Sequence, residues 1–221
     1  MTEPLTDTLK ISLERLQAAG PIRTAEERNA REAERQRDMN ECKAAELRLN
    51  WNAPKRQLNT TVAMDGEWGK TLSAFAPKLG TGFLVVLHGV HGGGKTQLGV
   101  ELMRYQIEKR MKSARFTTAM EFFMAVKATY KDEADKDETK LIEEYRKPSL
   151  LVIDEVEKRG ESLWENNLLF HLLNRRYNDV KDTVLISNLT SSELSTHLGP
   201  SLVSRLNETG GMIACNWPSR R

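Results

Sequence analysis

The run Gly89-Val90-His91-Gly92-Gly93-Gly94-Lys95-Thr96 constrains this chain more than any other segment. It satisfies the phosphate-loop pattern of a glycine, four residues, then Gly-Lys-Ser/Thr. Before it, Phe83-Leu84-Val85-Val86-Leu87 is a short apolar run with the character of a buried parallel strand. After it, residues 97–112 carry Leu98, Leu102, Met103 and Ile107 at helical spacing. Strand, glycine loop and helix together present backbone N–H groups and a helix N-terminus to a polyphosphate. The candidate nucleotide-binding residues are therefore Gly89, Val90, His91, Gly92, Gly93, Gly94, Lys95, Thr96 and Gln97. Lys95 is suited to the β- and γ-phosphates, and the Thr96 hydroxyl to Mg2+.

A second apolar run, Ser149-Leu150-Leu151-Val152-Ile153, ends in Asp154-Glu155. In an open parallel sheet, ligands sit beyond the carboxyl ends of the strands, so these acids are expected on the same edge as Lys95. Asp154 is the candidate Mg2+ residue, acting through the metal's water shell. Glu155 is the candidate to orient and polarise an attacking water. At the end of the run Thr183 to Ser187, the amide of Asn188 can bond both a γ-phosphate and that water. Arg205 offers a planar fork for transition-state charge, of the kind supplied by a neighbouring subunit, which requires a homo-oligomer.

Around these motifs, strands and helices alternate. Arg115 to Thr118 is a second strand and Ala119 to Tyr130 a helix; a further helix over Ser162 to Tyr177 separates the third and fourth strands, and Met212 to Cys215 is a fifth. The pattern predicts a three-layer α/β domain on a parallel five-stranded sheet. Residues 1–52 read differently. Asp7 to Ala19 has helical spacing stopped by Gly20-Pro21, and Thr24 to Glu27 is a capping box ahead of a Glu-, Arg- and Ala-rich helix. Such a helix gains little from burial within its own chain and fits a solvated surface helix, but a partner-binding arm is favoured because Leu9, Leu13 and Leu16 also need covering. The division is a helical region over 1–52, a linker over 53–68 and the α/β domain over 69–221.

Composition excludes more than it selects. At 221 residues the chain has room for one ordinary domain plus an appendage or for two small domains, and its net charge is only +2, so nucleic-acid contact must depend on local patches. Lys109-Arg110, Lys112 and Arg115, then Lys158-Arg159 and Arg175-Arg176, are the candidates. Cys42 and Cys215 stand far apart with no CxxC spacing, which argues against structural zinc or disulfides and fits a cytoplasmic protein. No apolar run has the length for a membrane span.

The ordered set of phosphate loop, Asp-Glu strand, strand-terminal Asn188 and late Arg205 resembles the AAA+ branch of P-loop ATPases. Within it, the chain is most similar to DnaC-type replicative helicase loaders and their IstB-like relatives. The segments that carry the likeness are Leu151 to Val156, Leu172 to Tyr177, Leu185 to Leu189 and Asn216-Trp217-Pro218-Ser219-Arg220. The resemblance implies an ATP- and Mg2+-dependent protein that binds a hexameric replicative helicase through its N-terminal helices and helps place single-stranded DNA inside the ring. The chain departs from that pattern at Ser201, where many relatives carry an additional arginine, and in having a single N-terminal cysteine, Cys42. It also ends soon after the fifth strand without a helical lid, so hydrolysis is expected to be slow. Three other functions fit the phosphate loop: an IstB-type transposition helper on duplex DNA, a small-molecule kinase, and a nucleotide-gated binding module. Glu155 and Asn188 favour water over a kinase acceptor.

Overall fold

Thr24 starts the first described helix, α1 (Ala25–Arg48), with the expected capping box. Its hydroxyl accepts from the Glu27 N–H at 3.2 Å, and the Glu27 carboxylate accepts from the Thr24 N–H at 3.0 Å. The computed structural model describes residues 24–60, 63–130, 137–160 and 162–218, and the expected helix over Asp7 to Ala19 lies outside them. Contacts divide the chain into two units, Met1–Cys42 and Lys43–Arg221. In the first unit, every described residue except half-buried Asn40 is exposed.

The second unit begins ten residues before the boundary drawn at residue 52, because Ala44 is buried, Leu47 and Trp51 pack on the core, and Arg48 pairs with Glu108 at 2.5 Å. Nor is the stretch read as a linker a bare tether. It contains α2 (Lys55–Leu58) and is pinned by backbone acceptors. Phe116 N donates to Trp51 O at 2.6 Å, Gln97 Nε2 to Gln57 O at 3.0 Å, and Arg104 Nη2 to Leu58 O at 3.2 Å. Helix α3 (Gly66–Phe75) follows.

Among the described residues, β1 (Leu84–His88), β2 (Ala114–Thr118), β3 (Leu150–Asp154), β4 (Asp182–Ile186) and β5 (Gly211–Ala214) form one parallel sheet in the order β2-β3-β4-β1-β5. β1, β3 and β4 are buried along their whole length, which is why each contains an unbroken apolar run, Leu84–Leu87, Leu150–Ile153 and Val184–Ile186. Their side chains alternate between two cores. Val85, Leu87, Val152, Val184 and Ile186 meet α3 and α4 (Lys95–Glu108). Leu84, Val86, Leu151, Ile153 and Leu185 meet α5 (Ala119–Ala128), α6 (Glu138–Arg146), α7 (Leu163–Asn178) and α8 (Ser191–Thr209). The result is the expected three-layer α/β arrangement. Capping boxes at Thr118/Glu121, Ser162/Glu165 and Thr190/Glu193 start α5, α7 and α8.

One of the basic clusters considered for DNA contact is partly lost to the interior. Arg176 is fully buried, with Nε on Thr183 Oγ1, Nη1 on the carbonyls of Tyr145, Arg146 and Pro148, and Nη2 on Asp182 O. Arg115 lies over the Tyr145 ring and faces Glu144 at 3.6 Å. Lys109, Arg110 and Lys112, just past α4, remain exposed.

Candidate functional site

Three neighbouring strand tips build the site. β4 lies between β3 and β1, with Ile153 opposite Leu185 and Leu87 opposite Ile186, so all three carboxyl ends share one edge. Beyond β1 comes the glycine loop, beyond β3 the acids, and between them the turn carrying Asn188. The acidic pair and the phosphate loop therefore flank a single cleft. The cleft has a volume of about 460 Å3 and is lined by His91, Gly92, Gly94, Lys95, Thr96, Gln97, Asp154, Glu155, Ile186 and Asn188.

The loop owes its shape to its glycines. Gly94, the residue before α4, has φ of 78°, a left-handed conformation that directs the helix N-terminus into the cleft. A Cβ on Gly93 would stand 3.2 Å from Cys215 O and 3.4 Å from Trp217 Nε1, so any other residue would press on the chain after β5. Two indoles hold the loop from outside: Trp217 Nε1 donates to Gly93 O, and buried Trp68 Nε1 donates to Gly94 O at 3.1 Å. With those carbonyls turned outward, the loop's N–H groups are available to an anion. Trp217→Phe should weaken Mg-ATP binding about two- to tenfold, since one neutral hydrogen bond contributes ~0.5–1.5 kcal/mol. Isothermal titration calorimetry checks this, and unchanged affinity would show that the indole does not support the loop.

Lys95 is 5% exposed and its ammonium donates to Gly89 O and Val90 O, both at 2.8 Å, and to Asn188 Oδ1 at 3.0 Å. Burial lowers its pKa, with the charges of Asp154 and Glu157 opposing. Cys215 beside it remains a thiol, since burial pushes its pKa up to about 12. Thr96 Oγ1 donates to Asp154 Oδ2 at 2.7 Å, and Glu155 N donates to Asp154 Oδ1 at 2.8 Å. Burial raises the Asp154 pKa against those two bonds. A hydroxyl and a carboxylate facing one cleft are a hard-oxygen donor set that fits Mg2+. An added dication there would favour the ionised carboxylate. The residues present thus fit both groups, with the loop N–H groups and Lys95 for the phosphates and Thr96 and Asp154 for the metal.

The remaining sequence candidates are placed as follows. Glu155 lines the cleft with φ of 54°, uncommon for a side-chain-bearing residue, and its Oε1 meets Lys158 Nζ at 2.5 Å. Gln97 lines the cleft while binding Gln57 O. Arg205 is on α8 and does not line the cleft of its own chain. Its Nη1 donates to Ser201 O and Ser201 Oγ at 2.9 and 2.6 Å, and its guanidinium faces the Phe170 and Tyr177 rings.

Several site residues escaped the sequence reading. Arg56, Gln57, Thr60 and Ala63, from the stretch read as a linker, form the outer wall of the cleft. Glu157 receives Ser187 Oγ at 2.9 Å on one oxygen, and Asn188 N and Nδ2 at 3.2 and 2.7 Å on the other. Burial would raise its pKa, but hydrogen bonds from its own N–H, Ser187 and Asn188 outweigh it and hold the carboxyl below the usual range. Glu157 lies in the turn after β3, one residue past the fully buried Val156, where strand alternation no longer indicates which way a side chain faces.

This fold and site define a P-loop nucleotide-binding domain of the AAA+ type. The family described as IstB-like ATP binding protein matches residues 22–205, and the chain belongs to it. The replicative helicase loader DnaC of Escherichia coli (strain K12) is 26% identical over 137 residues, which make up 62% of this chain and 55% of that protein. The chain thus spans about half the length of that curated relative. In fold, it resembles the crystal structure of the DnaC helicase loader, with TM-score 0.60, 22% identity, and coverage of 74% of this chain and 97% of that one. AMPPCP-bound DnaA from Aquifex aeolicus shares the fold at TM-score 0.58 and 21% identity, over 72% of this chain and 49% of that one. Among the described residues, no helix is long and apolar enough to cross a membrane.

Proposed function

We propose that this protein is an ATPase of DNA replication that loads a hexameric replicative helicase onto single-stranded DNA. The observation that carries the ATPase is the joining of Lys95 to Asn188 and of Thr96 to Asp154 across the tips of β1, β4 and β3. The likeness to DnaC selects helicase loading among the uses of such a site. Mg2+, when bound, would neutralise phosphate charge. Lys95 and the loop N–H groups would hold the phosphates, and Thr96 and Asp154 would hold the metal. Glu155, once released from Lys158, orients the attacking water. Asn188 reads the presence of the γ-phosphate, and Arg205 completes the site of a neighbouring copy in a homo-oligomer. Turnover is slow and rises with DNA or helicase.

Helicase binding is assigned to the helical region over residues 1–52, whose last ten residues also pack on the ATPase core, with 53–68 as the connection and 69–221 as the ATPase domain. The exposed, charge-laced surface of residues 24–42 supports that assignment. Pull-down on a replicative hexamer should retain the full chain, and a chain beginning at residue 53 should be lost. Equal retention would remove the arm's role. The family match over residues 22–205 supports a second reading, a transposition helper acting on duplex DNA. ATP-dependent filaments on duplex DNA, without capture by the hexamer, would favour it.

A further inference from the structure

Glu157 follows the acidic pair at a position where the nucleotide chemistry described above needs no carboxylate. Its placement is nonetheless well determined. Val156 N donates to Ile186 O at 3.1 Å, tying the chain after β3 to the end of β4, so the next residue faces Ser187 and Asn188. There the half-buried Glu157 carboxylate takes the three hydrogen bonds from Ser187 Oγ, Asn188 N and Asn188 Nδ2. On its other side, the same amide meets the Lys95 ammonium through Oδ1 at 3.0 Å.

An asparagine amide has a donor end and an acceptor end of nearly equal shape, and its orientation follows from its partners. With a carboxylate on one side and an ammonium on the other, a single orientation is satisfied. Turned over, the amide would set Oδ1 against the carboxylate and Nδ2 against the ammonium, two repulsive contacts in a partly buried site. We propose that Glu157 is a positioning residue that locks Asn188 in this orientation, leaving the second Nδ2 hydrogen and the second Oδ1 lone pair for a terminal phosphate and its water in the cleft. Charge-assisted bonds of this kind are stronger than neutral ones, so the lock holds without a ligand. Glu155 and Glu157 then divide the work, one facing the reacting water and the other setting the residue that reads the phosphate. This inference deepens the ATPase reading and rests on it.

The test compares binding of ATPγS and ADP with Mg2+ to the full chain by calorimetry, with melting temperatures alongside. Glu157→Ala should reduce the preference for ATPγS over ADP about tenfold, the scale of one hydrogen bond to a charged group, while ADP affinity changes little. Glu157→Gln, whose own amide oxygen can accept from Asn188, should keep most of the preference. In an Asn188→Ala background, Glu157→Ala should have no further effect on it. An unchanged preference in a Glu157→Ala chain that melts like wild type overturns the proposal, as does an undiminished loss in the Asn188→Ala background. Absence of ATPγS binding by the wild-type chain is a separate result that removes the ATPase reading itself.

Discussion

Lys95→Ala is expected to lower Mg-ATP affinity by at least about a hundredfold, the scale on which losing one preorganised charged donor weakens an anion site. The substitution acts twice. It removes the ammonium that would meet the β- and γ-phosphates. It also strips Gly89 O, Val90 O and Asn188 Oδ1 of the donor that gathers them, at distances of 2.8, 2.8 and 3.0 Å. Because Lys95 is buried, water does not freely replace it at those acceptors, and the loop should lose its set shape. Calorimetry with Mg-ATP measures the first effect, and hydrogen exchange across Gly89 to Gly94 the second. Affinity within threefold of wild type would mean that the triphosphate does not use this loop.

Arg176→Met should destabilise the fold by about 3–5 kcal/mol, the cost of breaking a buried charged network from one side. Methionine keeps most of the side-chain length and volume, so the loss is in hydrogen bonding. Five bonds vanish, and the carbonyls of Tyr145, Arg146, Pro148 and Asp182 are left without the donors they have now. Lysine would not restore them, since a compact ammonium cannot reproduce the planar fork. For a chain of this size the melting temperature should fall by roughly 6–20 °C. Arg176 ties the starts of β3 and β4, the edge opposite Asp154 and Asn188, so the protein that remains folded should bind Mg-ATP with unchanged affinity. A melting temperature within two degrees of wild type, measured in about the same buffer, would show that the guanidinium is dispensable.

Much of this arrangement was legible from the chain. All five strands were anticipated to within a residue or two, and the three central ones stand out because strands covered on both faces leave uninterrupted apolar runs such as Leu150 to Ile153. Helices were read less evenly. α8 is absent from that reading, and it is two helical segments meeting at a kink: Gly199, at φ of 77°, breaks the first, and Pro200 opens the second. α6 is hidden in a run of charge from which only Leu141 and Tyr145 are buried, with Ile142 packed against the core at its margin. Arg176 was misjudged as surface because an Arg-Arg pair carries no local mark of which member turns inward.

The primary sequence by itself determined the glycine loop between a buried strand and a helix, and the acids closing a second strand, because each depends on residues adjacent in the chain. Tertiary structure alone decided that β4 enters between β1 and β3, bringing Asn188 to Lys95 across 93 residues. It also decided that Trp217 reaches Gly93 across 124 and that Glu157 meets Asn188 across 31. Such contacts depend on strand order and on the paths of connecting segments, which local periodicity does not encode.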